Sequence, residues 1–88
     1  MTGAPPLARL AALGFPETAR LLESGRPDAA TLALIGLSTM EARDRDRLPG
    51  SVPVIRARYA VARRLVRLAV ANASPAPVNP PAREEMVN

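Results

Sequence analysis

The chain has 88 residues, of which ten are proline and twelve arginine; it contains no lysine, histidine or cysteine and carries a formal charge of +4. That length allows one domain with a core that is only marginally self-sufficient. The missing cysteine and histidine exclude disulfides, thiolate and imidazole metal sites, and the commonest nucleophiles and general bases.

Residues 1–6, MTGAPP, read as a flexible arm. They lack the basic region and apolar stretch of a signal peptide, and no run elsewhere is long enough to span a bilayer, so a cytoplasmic protein is expected. Proline and glycine then punctuate the chain. A first helix runs from Leu7 to Leu13 and ends at Gly14; a second opens at Pro16 and closes at Gly25. "RPDAATLALIG" repeats the grammar, which predicts a third helix over about 27–35 that stops at Gly36.

Ser38 and Glu41 have capping-box spacing, with Leu37 and Ala42 placed as a hydrophobic staple, so a fourth helix is expected to start near Thr39. Its body alternates in sign. Glu41 with Arg45 and Asp44 with Arg47 make favourable spaced pairs, and Met40 and Leu48 are its chief core contacts. Pro49 and Gly50 end it, and Ser51 is a plausible cap for the last helix.

That fifth helix, from about Val52 to Ala73, is the longest element. At about 100° per residue, Val52, Ile55, Tyr59, Ala62, Val66, Ala69 and Val70 share one stripe. Val54, Val61, Leu65 and Leu68 widen the apolar arc beyond what one neighbouring helix covers. Arg56, Arg63 and Arg67, with Arg64 beside them, form a ridge, while Arg58 falls inside the apolar arc and must snorkel outward or meet a buried carboxylate.

The fold expected is therefore all-α, a small bundle of four short helices packed around one long C-terminal amphipathic helix. The helical domain occupies 7–73. A Pro-rich disordered tail follows over 74–88, with a PxxP spacing at Pro77 and Pro80 and a terminal "AREEMVN" whose Met86 and Val87 suit docking on a neighbouring subunit, with Glu84 and Glu85 meeting the arginine ridge.

One segment, "LAALGFPETARLLESGRPDAATLALI", has Gly14 and Phe15 in its first loop and Ala19 and Leu22 on its second helix. It resembles the ubiquitin-associated type of three-helix domain over about the first third of the chain. The resemblance implies a three-helix unit with a protein-binding role, and no binding residues are carried over. A second stretch, "ATLALIGLSTMEARDRDRL", superficially resembles helix-turn-helix proteins, but Asp44 and Asp46 would face a polyanion.

An ordinary reading makes the arginine ridge the solvated side of the bundle. Short, alanine-rich companions with one phenylalanine nevertheless have too little apolar surface to cover the long helix. The residues Arg56, Arg63, Arg64, Arg67, Val54, Val61, Leu65 and Leu68 are accordingly the expected partner-binding set. A protein partner with an acidic face, or a homo-oligomer, fits both features. The alternative is nucleic acid, bound through phosphate contacts by the same arginines. A membrane surface fits less well, because the apolar side is mostly Val and Ala. No cofactor, metal or small-molecule substrate is expected, and neither is catalysis. The serines at 24, 38, 51 and 74 sit at expected helix ends, Asp44 and Asp46 diverge on a helix, and the five glycines are dispersed helix stops.

Overall fold

The computed structural model describes residues 5–73, and the expectations placed on the tail lie outside the described residues. Four α-helices form an all-α bundle: α1 (Pro6–Leu13), α2 (Pro16–Glu23), α3 (Ala29–Arg47) and α4 (Val52–Ala73), with a single 3-10 turn, Pro49–Ser51, between the last two.

The first helix ends as its glycine requires. Gly14 takes φ +112°, a conformation glycine adopts without strain. Its amide donates to the carbonyl of Ala11 (3.1 Å), and the amide of Phe15 donates to that of Leu10 (2.9 Å). These two bonds make a Schellman motif, and its customary apolar contact is supplied by Leu10 and Phe15, both buried in the core cluster. Gly25, at φ +75°, follows the end of α2.

The expected break at Gly36 does not exist. The segments expected as a third and a fourth short helix are one 19-residue helix, so the bundle has two short helices and two long ones instead of four short ones around one long. Ser38 is not an N-cap: it lies exposed within α3, and the Thr39 hydroxyl donates to the carbonyl of Ile35 one turn back (3.0 Å). A mid-helix glycine costs about 1 kcal/mol relative to alanine. Burying a leucine side chain is worth about 1.5–3 kcal/mol, and Leu37, the next residue, is fully enclosed. Burial wins, because Ala29, Ala33, Leu37 and Glu41 form one buried row at four-residue spacing that a break at Gly36 would disrupt.

A conformational prediction follows from this continuity. No neighbouring group lies within 4 Å of a Cβ built at Gly36, and its φ is not in the left-handed region. Gly36→Ala is expected to stabilise the fold by about 0.5–1 kcal/mol in a denaturant titration. A helix-terminating Gly36 would instead make the alanine destabilising.

The last helix has the bounds expected from sequence. It packs antiparallel to α3: Tyr59 reaches Asp44 while Arg63, four residues further on, reaches back to Glu41. The α1 helix also lies along α4, with Leu13 beside Arg58. Ile55, Tyr59, Ala62, Leu65 and Val66 of α4 meet Leu10, Phe15, Ala19, Ala33 and Leu37 from the other helices in one core. Two stripe residues expected inside are only partly covered, since Val52 is half-buried and Val70 exposed.

Candidate partner surface on the last helix

The five arginines of α4 divide into two kinds, those used inside the fold and those left outside it. Arg58 neither simply snorkels nor meets a carboxylate. Its guanidinium donates through Nη2 (3.1 Å) and Nε (3.3 Å) to the carbonyl of Leu13, the last residue of α1. It also stacks over the Phe15 ring, 4.6 Å from the centroid, and lies 5.8 Å from that of Tyr59. A cation there satisfies an orphan carbonyl at the negative end of the helix dipole.

Arg63 is the second structural arginine. Its Nη2 is ion-paired with Glu41, whose residue is buried in the α3–α4 seam. The pairings expected along α3 itself are therefore replaced. Glu41 turns to Arg63 rather than Arg45, and Asp44 accepts from the Tyr59 hydroxyl (2.6 Å) rather than meeting Arg47. Burial, reinforced by the bond to Asp44, pushes the Tyr59 phenol up to about 12. The two carboxylates most central to α3 are thus occupied by packing partners. Leu48, expected as a core contact, is exposed.

Arg56, Arg64 and Arg67 are exposed and make no ion pair among the described residues. Alongside them run three exposed aliphatic side chains: Val54 keeps 70% of its surface, Val61 39% and Leu68 41%. Leu65, expected on this uncovered strip, is instead 2% exposed within the chain's own core. Its direction on the helix falls beside Ala62 and Ala69, at the edge of the buried arc. Six of the eight expected residues are therefore exposed, over an arc of about 160° of the helix, while Arg63 and Leu65 belong to the fold.

The outer face has a simple layout. Val54, Val61 and Leu68 recur every seven residues, so they form a near-straight apolar stripe. Exposed Ala57, Ala60 and Ala71 keep its surroundings low, Arg64 stands beside its middle, and Arg67 and then Arg56 lie progressively further round the helix, about 120° and 140° from the centre of the stripe. The helix carries no acidic residue.

A second exposed apolar region was not anticipated. Ile35, 57% exposed, and Leu32 lie on the outer side of α3, and a groove between α2 and α3 beside them is lined by Phe15, Leu21, Leu32 and Met40. A helix ending at residue 35 hides this side from a sequence reading; the four-residue period running through Gly36 is the signal that reveals it. Charge there is mixed, with Glu17 and Arg20 both at the groove.

No family model matches the chain, and no curated protein or solved structure is significantly similar to it. Among the described residues, no helix is long and apolar enough to cross a membrane.

Proposed function

We propose that the protein is a non-enzymatic interaction or assembly component that binds an acidic protein partner through the outer face of α4. The single observation that carries this reading is the coincidence on the outer side of α4 of three arginines, which make no ion pair among the described residues, with three exposed aliphatic side chains. A solvated face has no need of the second set, and a purely electrostatic one gains nothing from it. Arginine suits the role because its planar fork grips carboxylates in two places at once. The absence of histidine and cysteine from the chain, with Glu41 and Asp44 engaged in packing, argues against catalysis.

The test is to isolate the native complex from source cells with the intact chain and with a Val54→Glu/Val61→Glu/Leu68→Glu variant. Proteins lost from the variant while its helicity stays unchanged support the reading. An identical set of companions in both preparations overturns it.

Nucleic acid is the second reading, favoured by the exposure of Arg56, Arg64 and Arg67, which make no ion pair among the described residues, and by the +4 charge. It predicts retention on duplex DNA that weakens steeply with salt and ignores substitution of the three aliphatic residues.

A further inference from the structure

Resting on that reading, we infer that the occupant of the α4 face is an acidic amphipathic helix of a different protein, laid along Val54, Val61 and Leu68 with its carboxylates on Arg64 and Arg67.

The shape of the face selects a helix. Val54 and Leu68 are fourteen residues apart on α4, a span of about 21 Å at the helical rise. Side chains repeating every seven residues present the row of knobs that a second helix receives between its own side chains. Alanines at 57, 60 and 71 flank the row without bulk, so a partner backbone has room to approach. An extended strand alternates its side chains with a period of two and matches this spacing poorly.

Charge selects the partner. Arg56, Arg64 and Arg67 have no carboxylate opposite them among the described residues, and α4 supplies none. A second copy of this chain, itself charged +4, would bring the same three cations against them. A helix with an apolar row bordered by Glu or Asp meets both halves of the face. Phosphates meet only one half and leave the aliphatic row to be covered by nothing apolar.

The probe is a synthetic helical peptide of about 21 residues, with Leu at the first and fourth positions of each heptad and Glu on the flanks. A matched control carries Lys in place of Glu. The full chain is expected to bind the Glu peptide saturably and at least roughly tenfold more tightly than the Lys peptide. Val61→Ser/Leu68→Ser is expected to weaken Glu-peptide binding by roughly tenfold or more. Arg64→Glu/Arg67→Glu is expected to reverse the preference toward the Lys peptide. Circular dichroism on each variant checks that the fold is intact; a variant that loses its helix is replaced by the single substitutions Leu68→Ser or Arg67→Glu.

Equal binding of both peptides, or of neither, overturns the inference. So does a homodimer that Leu68→Glu dissociates, which makes a second copy the occupant. Tight duplex-DNA binding indifferent to Val61→Ser/Leu68→Ser also overturns it. If native companions depend on α4 but the Glu peptide does not bind, the acidic helix is wrong and the assembly role survives; if neither depends on α4, both fall.

Discussion

Tyr59→Ala is expected to cost about 4 kcal/mol, the range for truncating a large buried aromatic. Tyr59 is 2% exposed and is the largest fully enclosed side chain. Its ring meets Phe15 edge to face at a centroid distance of 5.1 Å, which ties α4 to the α1–α2 corner, and its hydroxyl donates to Asp44 on α3. One residue therefore joins three helices. Domains are stable by about 0.05–0.15 kcal/mol per residue, about 3–10 kcal/mol for a helical body of this size, so Tyr59→Ala removes a large share of the total. The melting midpoint should fall by more than about 15 °C, and a fall of only a few degrees would mean that the ring is not the keystone of the core.

Tyr59→Phe separates the hydroxyl from the ring. It keeps the ring packing and removes one hydrogen bond to a carboxylate that retains some solvent contact, so the expected loss is about 1 kcal/mol. The hydroxyl also imposes a pH dependence. Its folded pKa is pushed up to about 12 from the ordinary tyrosine value of 10.0. Between those two values the unfolded chain has released the phenolic proton and the folded chain still holds it, so stability falls as pH rises. The contribution is fully present below pH 10 and gone above pH 12, a loss of about 2–3 kcal/mol. The chain has one tyrosine and neither lysine nor cysteine, so no other side chain ordinarily titrates in that window. Denaturant midpoints measured from pH 9 to 12 should decline for the wild type and stay level for Tyr59→Phe.

The two glycines at 14 and 36 explain why sequence reading succeeded at one boundary and failed at another. Both follow an apolar residue and precede another, and neither is announced by a proline before it. At Gly14 the chain turns because Pro16 is near and Phe15 has Leu10 to pack on. At Gly36 the helix continues because Ala33, Leu37 and Glu41 share one face against α4, which only the assembled bundle supplies. The local capping-box spacing was outweighed by tertiary burial. The last helix was legible in its bounds because proline at one end and a change of composition at the other bracket an unbroken helical period.

The outer face was legible in the same way. Val54, Val61 and Leu68 follow from periodicity alone, as do Arg56, Arg64 and Arg67. What periodicity does not contain is the position of neighbouring helices. Leu65 borders the buried arc, and whether it is covered depends on how the other helices are set around α4. Arg63 looks like a ridge residue in sequence, and Arg58 like a misplaced charge in the apolar arc, because their partners, the carboxylate of Glu41 and the carbonyl of Leu13, are 22 and 45 residues away.

Removing Arg63 is the second large effect. Arg63→Ala leaves the Glu41 carboxylate in a seam where its residue is 6% exposed and its cation is gone. Breaking a buried pair on one side costs about 3–5 kcal/mol. The Arg63 side chain keeps 27% of its surface, which admits water and places the expected loss near the lower end, about 3 kcal/mol. Adding Glu41→Gln to that variant removes the stranded charge and should restore most of the stability, while Glu41→Leu/Arg63→Leu should be near neutral. A double-mutant cycle by urea unfolding measures the coupling, and additive single losses would mean that the pair carries none. The same Leu–Leu variant separates folding from binding. Because Arg63 is spent on Glu41, the variant should bind an acidic helical peptide as the wild type does, whereas Arg67→Glu, at a residue with no ion pair among the described residues, should lose binding and keep stability. If the Leu–Leu variant instead loses the peptide with its fold intact, Arg63 belongs to the outer face after all, and its pairing with Glu41 is the resting state of a binding residue.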